Sequence, residues 1–114
     1  MASRRYIVEL SEAALSDLEG IVSFVANQSP RAAERLHNRL LSAALTLERH
    51  PNRGRVVPEL DRLAIVDVRE LLVGPYRVLY RVEGRRVFVL TAFDGRRDLD
   101  WVLLRMMLHD SRAR

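Results

Sequence analysis

Arginine is the residue type in this chain whose abundance and spacing could support chemistry. All 19 cationic side chains are arginine, and they outnumber the 15 acidic ones to give a net charge of +4. A guanidinium group presents planar, paired donors that suit phosphate and carboxylate groups. Seven arginines lie between Arg69 and Arg97, where only three acidic residues stand. This stretch is therefore the first candidate for a surface that meets an anionic partner.

Two interpretations of these arginines stay open at the level of sequence. In the first they form a target- or partner-binding surface, whose candidate members are Arg53, Arg55, Arg69, Arg77, Arg81, Arg96, Arg97 and Trp101. In the second the arginine stems cover apolar sheet surface, and their charged ends are solvated or paired with Glu70 and Asp98. Codon usage in a GC-rich genome would explain the absence of lysine, so the positions of the arginines are more informative than their number.

Metal and cofactor chemistry is not expected. The chain has no cysteine, and its three histidines (His37, His50 and His109) are far apart and lack ligand spacing. No apolar run reaches the length that spans a bilayer, and the first residues are too interrupted for a signal peptide. A cytoplasmic protein without a membrane segment is expected.

Two amphipathic helices are predicted in the first half of the chain. Ser11 can cap the first helix, whose apolar positions recur at helical spacing until the helix ends near Asn27. Ser29-Pro30 is a start signal for the second helix, whose apolar stripe ends at Leu47. Helices joined this closely should form an antiparallel hairpin.

Four strands are predicted around these helices. A short strand is expected over residues 6–10, and three longer ones over 65–73, 76–83 and 86–93, while residues 51–61 are predicted to form a loop. The short turns between the last three strands make them antiparallel.

Alternation along two of these strands predicts which faces are covered. In strand 76–83, the side chains of Tyr76, Val78, Tyr80 and Val82 would face the helices, and those of Arg77, Leu79 and Arg81 the uncovered side. In strand 86–93 both alternating sets are apolar, namely Val87, Val89 and Phe93 against Phe88, Leu90 and Ala92. That strand should be buried on both faces, beneath a C-terminal helix or a helix of a partner.

These elements predict a single α+β domain over residues 1–114. Its core spans about residues 6–99 and its C-terminal helix about 97–109, in the order β-α-α-β-β-β and then helix. The helical hairpin is expected to pack on one face of an antiparallel sheet of about four strands.

Several short motifs also occur in a fixed order along the chain. They are Ala14-x-x-Asp17-Leu18-x-x-Ile21, Ser29-Pro30-x-Ala32-Ala33, Pro51-x-x-Gly54-Arg55-x-x-Pro58-Glu59, Arg69-Glu70-Leu71-x-x-Gly74-x-Tyr76-Arg77-Val78-Leu79-Tyr80-Arg81 and Gly95-Arg96-Arg97-Asp98-Leu99. Together they cover about residues 6–99 and resemble the ParE-type toxins of the RelE/ParE superfamily. The resemblance implies the same helical hairpin on an antiparallel sheet. It also implies the toxin of a type II toxin–antitoxin module, whose partner is a ParD-like or similar cognate antitoxin.

The resemblance implies one of two activities. RelE-like members cut mRNA on the ribosome with arginines and an acid–base side chain, and Arg77 and Arg97 stand where two of those arginines would. The position that is histidine in many members is Asp94 here, and the tyrosine of the final helix in some nucleases aligns with Leu103. RNA cleavage needs a group that transfers protons near neutral pH. Tyr76 and Tyr80 are predicted to pack in the core, and His50 to cap a helix end.

Inhibition of DNA gyrase by binding, the ParE-like activity, is therefore the main expectation. Ribosome-dependent mRNA cleavage by Arg77, Arg97 and Asp94 is the alternative. A third possibility is a decayed member that only binds its partner and helps to repress its own operon. Sequence-specific DNA binding by the toxin alone is not expected.

Overall fold

A computed structural model describes residues 5–97, 99, 100, 102 and 104. The elements in chain order are β1 (Ile7–Leu10), α1 (Glu12–Ala26), α2 (Pro30–Leu45), a 3₁₀ turn (Thr46–Glu48), β2 (Arg55–Val56), α3 (Pro58–Asp61), β3 (Val68–Val73), β4 (Tyr76–Glu83) and β5 (Arg86–Asp94). Residues 99, 100, 102 and 104 are helical, and the rest of the helix predicted over 97–109 lies outside the described residues. None of the described helices is long and apolar enough to cross a bilayer.

The helical hairpin begins where the capping residues predict it. The Ser11 hydroxyl accepts a hydrogen bond from the Ala14 N–H at 3.0 Å, and the Ser29 hydroxyl accepts one from the Ala32 N–H at 3.1 Å. Each bond satisfies a backbone donor that the first helical turn leaves free. Pro30 occupies the first position of α2, where its missing N–H costs nothing.

The sheet has five strands in the order β1-β5-β4-β3-β2. The β3-β4-β5 meander is antiparallel, as the short turns predicted. Two details differ from the prediction of about four antiparallel strands. β1 pairs in parallel with β5. The Tyr6 N–H donates to the Glu48 carbonyl at 2.8 Å, so the chain that leaves the helical hairpin lies beside the start of β1. The segment predicted as a loop contributes β2 and α3.

The sheet is covered on both faces. The helix-side core contains ten buried residues: Ala14, Leu40, Leu47, Leu71, Val73, Val78, Tyr80, Val87, Val89 and Ala92. The second core lies on the opposite face and contains Val57, Leu60, Val68, Leu79, Phe93, Leu99 and Val102. The face predicted to be uncovered is therefore covered, over this second core, by α3 and by the helical residues Leu99 and Val102.

A β-bulge in β5 changes which residues share a face. Tyr80 pairs with Val89 and Leu79 pairs with Thr91, so Leu90 has no Cα partner. Beyond the extra residue the alternation is reversed, and Ala92 joins the helix-side core while Phe93 joins the second core. The prediction that Phe93 would share a face with Val87 and Val89 was wrong for this reason.

A turn in the left-handed region ends α3. Ala64 has φ +63°, its N–H donates to the Asp61 carbonyl, and the Ile65 N–H donates to the Leu60 carbonyl. This pair of bonds is the Schellman arrangement, in which glycine is the usual residue at the left-handed position.

We expect Ala64→Gly to raise the free energy of unfolding by about 1 kcal/mol, because the Cβ strain of a left-handed alanine disappears. Urea denaturation measures the change. Ala43→Gly, within α2, is the control and should lower stability by a similar amount. A loss of stability in both variants would contradict the strain at Ala64.

Candidate functional site

The structure places four of the predicted arginines in two separate charged clusters. One, the ion network, joins Arg55, Glu59, Glu70 and Arg77 beneath α3 on the second face of the sheet. The other lies in an open cleft between α1 and the ends of β4 and β5, and its charged residues are Asp17, Asp94, Arg96 and Arg97.

The ion network is built around a buried carboxylate. Glu70 is 1% exposed, and its two oxygens accept bonds from Arg77 Nε at 2.6 Å and Arg55 Nε at 2.7 Å. Arg77 also donates from both terminal nitrogens to the two oxygens of Glu59, at 2.8 and 2.9 Å. A carboxylate withdrawn from water needs such partners, because leaving it uncompensated costs several kcal/mol. The network therefore ties α3 and β2 to the meander.

Arg77 is a packed side chain. It is 9% exposed, and its guanidinium carbon lies 5.4 Å from the centre of the Phe93 ring. The hydrogen bonds to Glu59 and then Glu70 raise its pKa above the usual value. The prediction that Arg77 points to an uncovered face was wrong, since α3 covers that face and supplies the carboxylate that holds it. Pairing with Glu70, the alternative interpretation, is confirmed for Arg77, while Asp98 lies outside the described residues.

The other three arginines of the predicted surface make local contacts. Arg69 donates to the Gly54 carbonyl at 2.8 Å, Arg53 donates to the Thr46 hydroxyl at 3.0 Å, and Arg81 forms an ion pair with Asp67 at 3.3 Å. These bonds use only part of each guanidinium group. Their role in binding a target or partner stays a prediction.

Tyr80 is buried at the centre of the molecule. Its side chain is 0% exposed, and its hydroxyl accepts the Gly54 N–H at 2.9 Å. Burial raises the pKa of this hydroxyl above its usual value. The prediction that Tyr80 packs in the core is confirmed, and a hydroxyl with this surrounding is not available to a substrate.

The cleft has a volume of about 650 Å³ and contains the other predicted residues. Asp94 accepts bonds from the Arg96 backbone and side chain at 2.7 to 3.0 Å. The Arg96 side chain thereby lowers the pKa of Asp94 from 3.8 to about 2, which makes this carboxylate a weak base. Arg97 lines the same cleft, whereas the Arg77 guanidinium is held beneath α3. The nuclease alternative requires Arg77, Arg97 and Asp94 at one site. In the structure only Asp94 and Arg97 line the cleft.

Tyr76 occupies an intermediate position. It packs against the helix-side core and also lines the cleft beside Arg96 and Arg97. Neither of the described histidines, His37 and His50, lines this cleft. Trp101, a predicted binding residue, lies outside the described residues.

The sequence did not reveal Glu59 as the partner of Arg77. The two residues are 18 positions apart, and residues 51–61 carried no helical period that would place Glu59 over the sheet. Glu70 was a clearer signal, because a carboxylate between apolar strand residues must be paired when it is buried. Within the described residues, no group of three or more histidine, aspartate or glutamate side chains could hold a metal ion.

The free energy of unfolding should depend on pH through Glu59. Its bonds to Arg77 lower its pKa in the folded protein from 4.5 to about 2, so the stability it contributes is complete above pH 4.5 and declines as the pH falls towards 2. We expect wild type to exceed Glu59→Gln in stability at pH 6, and the difference to shrink at pH 3. Urea denaturation of both proteins at the two pH values measures it. A difference that is independent of pH would contradict the ionised pair.

Fold and site together describe a small α+β protein whose sheet packs against a helical hairpin on one face and against α3 on the other. The family described as the ParE toxin of the type II toxin–antitoxin system parDE matches residues 8–99, and the chain belongs to this family. A curated relative, Toxin RelE2 of Caulobacter vibrioides, is 38% identical over 78 residues, which are 68% of this chain and 81% of the relative.

Two solved structures share the fold. A chain of the chromosomal ParDE toxin–antitoxin system from P. aeruginosa has a TM-score of 0.65 at 21% identity, covering 81% of this chain and 98% of its own. A chain of the RelBE2 toxin–antitoxin complex from Mycobacterium tuberculosis has a TM-score of 0.55 at 24% identity, covering 79% and 91%.

Proposed function

We propose that this toxin acts by binding DNA gyrase and does not cleave RNA. The observation that carries the proposal is the occupied guanidinium of Arg77. Its Nε and both terminal nitrogens are bonded to Glu70 and Glu59 within the chain. A phosphodiester could bond to the two terminal nitrogens of Arg77 only by displacing Glu59, because the Glu59 carboxylate already accepts a short bond from each of them.

The proton-transfer groups of the cleft support the same conclusion. The pKa of Asp94 is about 2, far from neutral pH. General acid–base catalysis is most effective when the pKa lies near the working pH. The match to the ParE toxin family over residues 8–99 also favours gyrase over the ribosome.

A cognate, ParD-like antitoxin is proposed as the partner that neutralises the toxin. The two similar structures both come from toxin–antitoxin systems. The outer surface of the helical hairpin offers a groove of about 440 Å³, beside which Leu15, Leu41 and Leu45 are exposed. Apolar residues grouped in this way suit the apolar face of an amphipathic helix. We place the action in the cytoplasm, with no membrane partner and no cofactor.

Ribosome-dependent RNA cleavage is the second candidate, and Tyr76 is the observation that favours it. Its ring lines an open cleft together with Arg97 and Asp94, so a phenol and a guanidinium share one accessible site. In that case the catalytic residues would be Tyr76, Asp94 and Arg97, and Arg77 would not take part.

Induction of the toxin without its antitoxin separates the two activities. We expect gyrase to lose its supercoiling activity or DNA to be broken. We expect mRNA on programmed ribosomes to stay uncut. Tyr76→Phe should leave the gyrase effect unchanged. Ribosome-dependent cleavage that Tyr76→Phe or Arg97→Ala abolishes would instead establish the nuclease. Growth without any effect of induction would contradict both and indicate a decayed member.

A further inference from the structure

The cleft beside α1 contains a glycine that the fold does not explain. Gly20 lies in the interior of the 15-residue helix α1, and a Cβ built on it would meet no atom within 4 Å. A helical glycine costs about 1 kcal/mol relative to alanine. No neighbouring atom would clash with a side chain at this position, so packing within the chain does not explain why the residue is glycine.

An exposed aromatic side chain follows one turn later. Phe24 is four residues after Gly20 on the same side of α1, lines the same cleft, and is 69% exposed. The gap at Gly20 and the ring of Phe24 together form an apolar wall beside the helix backbone. Tyr76 lies on the strand side of the cleft. The space between these walls accepts a large apolar side chain, and its volume is in the range of ligand pockets.

A fixed guanidinium group stands at the rim of this space. The Arg96 backbone N–H, Nε and one terminal nitrogen all donate to the Asp94 carboxylate. The Arg96 side chain nevertheless remains 86% exposed. Asp94 thereby fixes the direction of Arg96 without covering it. A carboxylate next to the entering apolar side chain would meet this guanidinium.

We propose that the cleft binds a peptide segment of the antitoxin in which a large apolar residue is flanked by carboxylates. The apolar side chain enters beside Gly20, between Phe24 and Tyr76, and a neighbouring carboxylate bonds to Arg96. The exposed guanidinium of Arg96 makes a segment that carries carboxylates the complementary partner. This assignment rests on the proposed pairing with an antitoxin and adds a second contact on α1, separate from the outer groove.

Gly20→Leu tests the proposal because it fills the cleft from a position where the fold has room. Its stability should equal or exceed that of wild type, since leucine favours the helix. Overlapping fluorescent peptides from the antitoxin encoded beside the gene are the probes, and fluorescence anisotropy measures their affinity. We expect the peptide that binds wild type through the cleft to lose about tenfold or more in affinity, as when an apolar anchor is displaced. Arg96→Glu should weaken the same peptide.

Asn38→Leu is the matched control, because Asn38 is an exposed residue of α2 that lines neither cavity. This variant should bind the peptides with the affinity of wild type. Equal binding of every peptide to wild type and Gly20→Leu would overturn the cleft assignment alone, provided that the whole antitoxin still binds. Competition by single-stranded RNA for the cleft would overturn it in favour of a nucleic-acid site. Failure of the whole antitoxin to bind wild type would overturn the pairing and this inference together.

Discussion

Arg77→Ala is expected to lower the free energy of unfolding by about 3–5 kcal/mol, because it leaves Glu70 buried with half of its compensation. Arg77 supplies one of the two guanidinium bonds to Glu70 and both bonds to Glu59. A loss of this size is a large part of the stability of an ordinary small domain. Urea denaturation monitored by circular dichroism measures it.

A surface arginine provides the matched control for this loss. Arg86 forms an ion pair with Glu9, and its side chain is exposed. Exposed pairs contribute less than about 1 kcal/mol, so Arg86→Ala should be nearly neutral. Arg77→Lys should fall between the two, since it keeps the charge but loses the paired donors. Similar losses in Arg77→Ala and Arg86→Ala would show that the network carries no special stability.

The stability result decides how toxicity assays of Arg77 variants are interpreted. A toxin that loses its effect because it unfolds does not identify a catalytic arginine. We expect Arg77→Ala to lose toxicity together with its folded circular dichroism signal at 37 °C. A folded Arg77→Ala variant without toxicity would instead place this residue in contact with the target and weaken the proposed mechanism.

Gly54→Ala is expected to lower the free energy of unfolding by about 3 kcal/mol, the upper part of the range for an overpacked core. A Cβ at this position would lie 2.6 Å from the Tyr80 hydroxyl and 2.7 Å from the Glu70 carbonyl oxygen. Tyr80 is fully buried and cannot move away, and the carbonyl belongs to the neighbouring strand. The same change would disturb the bond between the Gly54 N–H and Tyr80. Thermal and urea denaturation both measure the loss.

Gly20→Ala is the informative comparison, because it makes the same chemical change where no atom lies within 4 Å. It should raise stability by up to about 1 kcal/mol through helix propensity. Tyr80→Phe combined with Gly54→Ala should recover only part of the loss, because it removes the hydroxyl contact while the contacts with the ring Cε1 and the Glu70 carbonyl remain. A Gly54→Ala variant as stable as wild type would show that the sheet relaxes around this position.

Elements whose signals are local could be predicted from the amino-acid sequence. Ser11 and Ser29 marked the starts of the two helices because a capping hydroxyl acts within three residues. The antiparallel meander followed from its short turns, and Tyr80 was placed in the core by simple alternation along β4. The ordered motifs over residues 6–99 likewise indicated the family that the comparison over residues 8–99 shows.

The element that covers the second face of the sheet could be identified only from the folded chain. Alternation shows that Arg77 and Leu79 share a face, but it contains no information about the element packed on that face. The four residues of α3 are too few for a hydrophobic period, and Glu59 meets Arg77 across 18 positions of chain. The extra residue Leu90 likewise reversed the faces of β5, since an apolar run has the same composition with or without a bulge. Contacts between distant segments thus placed Arg77 in a buried ion network, whereas Arg96 and Arg97 line an open cleft.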